Sequence, residues 1–110
     1  LPAARFALGS HALPQALQDQ LEVFAKVLKA RKPESAEIRI VGHADASGTD
    51  EVNNALSRQR AQSVKSFLVE RGVSSKLLLV HGEGAGRPAD PINPTGSINR
   101  RVEIGRLGTQ

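Results

Sequence analysis

An acid on a glycine-bearing loop and a base fifteen residues later are the residues of this chain best placed to do chemistry. Asp45 lies in Val41-Gly-His-Ala-Asp-Ala-Ser-Gly48, after an apolar stretch, and Arg60 lies in Leu56-Ser-Arg-Gln-Arg-Ala-Gln-Ser-Val64. If the loop and the segment carrying Arg60 fold back on each other, two opposite charges share one small site. Such a site suits a ligand that is itself a zwitterion. Asn53, seven residues before Arg60, falls on the same face of a helix and adds a neutral amide beside the pair.

The elements that must hold these residues follow from periodicity. A helix is expected from about Asp50 to Arg71, with Gly72 ending it in the left-handed conformation. Its buried row reads Asn53, Leu56, Arg60, Val64, Phe67 and Leu68, so Arg60 stands where the pattern calls for an apolar side chain. A charge there must be paired or must reach a ligand, because burying it alone costs several kcal/mol. An earlier helix opens at Pro14 and buries Leu13, Leu17, Leu21, Phe24 and Leu28; Lys29, Arg31 and Lys32 suit its C-terminus, and Pro33 stops it.

Strands are expected at Arg5 to Leu8, Glu37 to Val41, Lys76 to His81 and Arg101 to Leu107. Ile38 and Ile40 in the second, and Val102 and Ile104 in the last, point to a core. Leu77-Leu-Leu-Val80 is apolar throughout, which predicts a central strand or one covered on both faces. Ala44 to Gly48 and the Gly- and Pro-rich stretch Gly82 to Ser97 read as loops. The order predicts an α+β fold, a two-layer sandwich of βαβαββ type with a mixed four-stranded sheet and both main helices on one face. Asp45 and Asn53 then meet at one rim, where the helix N-terminus adds free N–H groups and a partial positive charge. That leaves a place for a carboxylate near Arg60 and for an ammonium near Asp45.

Length and composition bound the class. With 110 residues and 39% hydrophobic content, the chain fits a single domain over residues 1–110 with one core. No apolar stretch approaches the ~20 residues that cross a bilayer, so no membrane span is expected within it. Residues 1–13 show no signal-peptide pattern, which places any targeting segment outside the chain. Cysteine is absent, which removes disulfides, thiolate nucleophiles and thiolate metal sites. The net charge of +4 and pI near 10.1 invite a nucleic-acid reading. The basic residues are spread out, however, and three Phe with no Tyr or Trp supply few stacking platforms, so no nucleic-acid partner is expected. Attraction to a polyanionic wall polymer or to lipid headgroups stays open.

Each motif also has a plainer reading. Asp45 could cap a loop or helix and Arg60 could simply bridge to it, while Arg100 and Arg101 could anchor Glu83 or a helix C-terminus. His43 and His81 each end a strand beside a Gly, so with Asp45 they form a conceivable metal hydrolase, although no metal site is expected. Gly82-Glu-Gly-Ala-Gly86 lacks the Gly-Lys-Ser/Thr of a phosphate loop. Ser57, Ser63 and Ser66 read as helical surface hydroxyls with no His at useful spacing, which gives nucleophilic catalysis no support.

Several segments together resemble a known family. Val41-Gly-His-Ala-Asp45, Asn53, Leu56-Ser-Arg-Gln-Arg-Ala-Gln-Ser-Val64, Gly82-Glu83 before Pro88, and Asn99-Arg-Arg-Val-Glu-Ile104 appear in the order of the OmpA-like peptidoglycan-binding domain, over about Phe6 to Leu107. The resemblance implies a non-catalytic, cofactor-free module in the periplasm, attached to the outer or inner membrane through a segment outside this chain. Its implied partner is the meso-diaminopimelate of the peptidoglycan stem peptide, with Asp45 on the ammonium and Arg60 on the carboxylate. Asn53 matches the Asn beside this pair, and Arg100 matches an Arg that reaches the ligand in some members. Lysine-type stem peptides lack that carboxylate, so discrimination should follow Arg60 more than Asp45. Ala44 departs from the family's usual Thr and Val52 from a common Tyr, and neither change removes a charge. The alternative function is a protein-interaction or oligomerisation domain of the same fold in a secretion or motor-stator assembly, and homo-oligomerisation through a parent protein stays open.

Overall fold

The computed structural model describes residues 5–32 and 34–107. Its elements are helix α1 (Gln15–Leu28), strand β1 (Ile38–Gly42), helix α2 (Asp50–Glu70), strand β2 (Leu78–Gly82) and strand β3 (Val102–Arg106), with 3-10 turns at Ser75–Leu77 and Ser97–Asn99. Strand β1 is central, parallel to β2 and antiparallel to β3, so the sheet is mixed and ordered β2-β1-β3. The fold is α+β with two helices, as expected, but the sheet has three strands among the described residues rather than four.

The missing strand is Arg5 to Leu8. Phe6 is buried and exchanges one backbone bond with the β3 side, its N–H donating to Arg100 O at 3.0 Å. The chain then turns at once, Ser10 N–H donating to Ala7 O at 3.1 Å, so no second ladder bond can form. Strand β2 also departs from expectation: it lies at an edge, and Leu79 is 45% exposed on the face turned away from the helices. Four consecutive apolar residues implied two covered faces, but Leu77 is buried from the 3-10 turn before the strand, and within the strand only alternate positions, Leu78 and Val80, reach the core.

Helix α2 packs over β1 and β2, and α1 packs against α2. In α1 the buried stripe is Leu17, Leu21, Ala25 and Leu28, whereas Phe24 is 37% exposed. Ala25, four residues after Leu21 and three before Leu28, completes the stripe on one margin, and Phe24 lies at the opposite margin. The helix ends at Leu28, and Pro33, expected to stop it, lies outside the described residues. No described helix is long and apolar enough to cross a membrane.

Two features fix α2 relative to the sheet. Its C-terminus closes as expected: Gly72 has φ +96°, its N–H donates to Val69 O at 3.0 Å, and Val73 N–H donates to Leu68 O at 3.1 Å. Towards its N-terminal half, the paired strand residues Gly42 and Gly82 let the helix backbone come close. A Cβ on Gly42 would stand 1.8 Å from Ser57 O, and one on Gly82 would stand 2.6 Å from Arg58 N. This contact seats Ser57 on the sheet, with Asn53 and Arg60 one turn to either side.

Candidate functional site

The loop after β1 and the first half of α2 form a cleft of about 330 Å³, closed on a third side by Leu8 and Gly9. Asp45 lies in the loop wall, Asn53 in the helix wall and Arg60 at the floor. The sequence-predicted trio therefore meets in one place. Arg100 joins it from the end of the long loop, its Nη1 donating to Asp45 Oδ2 at 3.0 Å.

Asp45 is 4% exposed. Burial alone would raise its carboxyl. The Ser47 hydroxyl and amide, the latter 2.9 Å from Oδ1, together with the Arg100 guanidinium, outweigh burial and hold it below the usual carboxylate range. Asp45 is thus an anion at neutral pH. Ser47 was not anticipated as a site residue, although the Asp-x-Ser spacing is that of an Asx turn and carried the signal. Asn53 donates from Nδ2 to Gly48 O at 3.2 Å, which braces the loop. Its Oδ1 accepts from no donor among the described residues, which leaves an open acceptor beside the acid.

Arg60 is 0% exposed. Its Nε donates to Ser10 O at 2.8 Å, Nη1 to His43 O at 3.0 Å and Nη2 to Ala7 O at 3.1 Å. The guanidinium also sits 5.1 Å from the centre of the Phe6 ring. Burial pushes its pKa down to about 10, with Asp45 opposing the shift and Arg100 adding to it, so the group stays charged at neutral pH. Among the described residues no carboxylate lies within ion-pair distance of it. The simple Asp45–Arg60 bridge therefore does not form, because Arg100 takes the acid and backbone carbonyls take Arg60. Arg100 is further tied by its Nε to Phe6 O at 2.7 Å. Neither it nor Arg101 anchors Glu83 or a helix end; Arg101 donates to Glu103 Oε2 at 3.3 Å and to Arg87 O at 3.0 Å.

The remaining candidates disperse. His43 is buried, with Nε2 2.8 Å from Glu103 Oε1, and burial followed by the charge of Arg101 lowers its pKa against the pull of Glu103. His81 pairs instead with Glu83 at 3.1 Å. Among the described residues no group of three or more His, Cys, Asp or Glu side chains could hold a metal ion. Ser57 is not a surface hydroxyl: it is buried, donates to Asn54 O at 2.9 Å and accepts from Gly84 N–H at 2.8 Å. Its position four residues after Asn53 on the buried row was the available signal. Ser63 does have a His neighbour, His11 Nδ1 at 3.2 Å, but its hydroxyl donates to Gln59 O at 2.9 Å, so no base takes its proton.

Comparison with known proteins identifies the family. The model of the OmpA family matches residues 5–104. A probable lipoprotein, YiaD, of Escherichia coli K12 is 36% identical over 104 residues, covering 90% of this chain and 45% of that protein. Outer membrane protein A of Yersinia pseudotuberculosis is 31% identical over 98 residues, covering 79% of this chain and 28% of that protein. The crystal structure of the peptidoglycan-associated lipoprotein of Burkholderia pseudomallei superposes with a TM-score of 0.82 at 28% identity, over 94% of this chain and 88% of that one. The chain spans less than half the length of the curated relatives it matches. With the family model matching nearly its whole length, the chain belongs to the OmpA family.

Proposed function

We propose that residues 1–110 form a single non-catalytic peptidoglycan-binding domain that holds an envelope protein to the cell wall from the periplasm. Its ligand is the meso-diaminopimelate of the stem peptide. The observation that carries this reading is the cleft itself, where an ionised, nearly buried Asp45 and the open acceptor of Asn53 face the same space above the Arg60 guanidinium. The ligand's ammonium meets Asp45 and Asn53 Oδ1, and its carboxylate meets Arg60, with Arg100 beside it. The Nη2 of Arg100 makes no bond among the described residues and supplies a further donor. Family membership and the likeness to a peptidoglycan-associated lipoprotein support the same reading.

The test is a calorimetric titration with a diaminopimelate-containing stem peptide and its lysine counterpart, using the wild type, Arg60→Ala and the near-isosteric Asp45→Asn. Binding of the first peptide only, lost in both variants while circular dichroism shows them folded, is the expected result. If the wild type binds neither peptide, wall anchoring is wrong, and the domain is an interaction module braced by these charges.

A further inference from the structure

The donors of Arg60 that would grip a carboxylate are already occupied. The side-on edge of a guanidinium, Nε with Nη2, presents the parallel N–H pair that binds carboxylates bidentately. Here Nε donates to Ser10 O and Nη2 to Ala7 O, at 2.8 and 3.1 Å. Both carbonyls belong to one β-turn, Ala7-Leu-Gly-Ser10, closed by the Ser10 N–H to Ala7 O bond. Gly9, with φ +66°, supplies the positive φ that this turn needs at its third residue. With the turn in place Arg60 is fully buried, while the turn's own Leu8 is 69% exposed at the mouth of the cleft.

We propose that the Ala7–Ser10 turn is a lid that competes with the ligand's carboxylate for Arg60 and is displaced when that carboxylate binds. The inference rests on the reading given under Proposed function. Its ends are fixed: Phe6 is in the core and tied twice to Arg100, and Leu13 packs against the core before α1 begins. Between them the turn buries no apolar side chain, and its bonds to the body of the protein run to Arg60. A segment with anchored ends and a weakly held middle opens locally at low cost.

The direction of the exchange follows from charge. The turn offers Arg60 two neutral carbonyls, whereas a carboxylate makes charge-assisted bonds of roughly twice the strength. A ligand carrying only an ammonium can meet Asp45 but has nothing with which to displace the turn. Opening of the turn therefore marks the carboxylate, since a lysine-type peptide leaves the turn in place and incurs no opening cost.

Two measurements test the lid with the same two stem peptides. A nitroxide pair at Leu8→Cys and Lys76→Cys, both exposed positions in a chain without cysteine, reports the turn's displacement. The distance distribution should move on saturation with the diaminopimelate peptide and stay put with the lysine one. Gly9→Ala strains the closed turn through its φ, yet its added Cβ meets nothing within 4 Å. The closed form loses about five- to thirtyfold in population relative to the open one, so this variant should bind the diaminopimelate peptide tighter by up to that factor. An unmoved distance at saturation, or unchanged or weaker binding by a folded Gly9→Ala, overturns the lid and leaves wall binding standing. If Gly9→Ala does not fold, the nitroxide distance decides alone. Failure of both wild type and Gly9→Ala to bind either peptide removes wall binding and the lid together.

Discussion

Arg100 Nη1 lies 3.0 Å from Asp45 Oδ2, and this ion pair, rather than one between Asp45 and Arg60, sets the electrostatics of the cleft. The same guanidinium holds Phe6 O at 2.7 Å, so one side chain joins the end of the long loop, the acid and the N-terminal segment. Arg60 is left with three neutral carbonyls and a full charge, a cation without a carboxylate partner among the described residues, behind a nearly saturated anion.

Replacing Arg100 by Gln removes the charge and leaves Asp45 Oδ2 and Phe6 O short of a donor. Leaving buried acceptors unmatched costs about 1–3 kcal/mol, which urea unfolding at pH 7 should read. The pH dependence separates the charge from the packing. Asp45 has a depressed carboxyl in the folded state, so its contribution is present above the unfolded value of about 4 and is lost as pH falls through the folded one. The gap between wild type and variant should therefore narrow below about pH 4. A gap that is constant with pH would mean that the charge pair contributes nothing.

His43 predicts a second acid-sensitive step at higher pH. Burial and then the charge of Arg101 lower its folded pKa, and Nδ1 is buried with no partner among the described residues. The unfolded imidazole, near 6.5, binds protons first, so stability falls as pH drops below that value. Melting temperatures between pH 7.5 and 5 should fall in the wild type and run flatter in His43→Gln. Equal slopes in the two proteins would show that the imidazole takes up protons equally in the folded and unfolded chains, so that burial does not lower its pKa.

Much of the site was legible before the structure because Arg60 breaks an otherwise apolar row and Asp45 follows a strand into a glycine-bearing loop. The partners of Arg60 were not legible. They are backbone carbonyls at residues 7, 10 and 43, and any residue type supplies a carbonyl, so side-chain patterns carry no trace of them. Strand β2 was misjudged for a related reason: four apolar residues look doubly covered, yet its place at the edge is set by which strand pairs with β1, a tertiary choice. Phe24 lies at the margin of the stripe, where an apolar pattern cannot tell a half-covered side chain from a buried one, and the small Ala25 that completes the other margin leaves little trace in it.

The close approach of α2 to the sheet gives a contrast between glycines. Gly42→Ala drives a Cβ into the Ser57 carbonyl, a backbone atom that moves only if the helix moves. A loss of about 1–3 kcal/mol or more is expected, together with weaker ligand binding, because Asn53 and Arg60 ride on the same helix. Gly105→Ala, whose added Cβ meets nothing within 4 Å, should stay within about 0.5 kcal/mol of wild type. Denaturant melts of the two variants side by side make the comparison, and equal losses would contradict the packing described.

Ser57 links that contact to the acid loop. Its Oγ accepts from Gly84 N–H at 2.8 Å, and Gly84 O accepts from Ala44 N–H at 2.9 Å, one residue before Asp45. Ser57→Ala leaves a buried N–H without an acceptor, which costs about 1–3 kcal/mol, whereas Ser66→Ala on the exposed face of the same helix should be within about 0.5 kcal/mol of neutral. Because the Gly84 bond also positions Ala44, amide chemical shifts of Ala44 to Ser47 should move in Ser57→Ala and not in Ser66→Ala. A destabilised Ser57→Ala with unmoved loop shifts would confine this hydroxyl to packing. Movement of both makes it a positioning residue for Asp45, acting through the backbone of the long loop rather than through any contact with ligand.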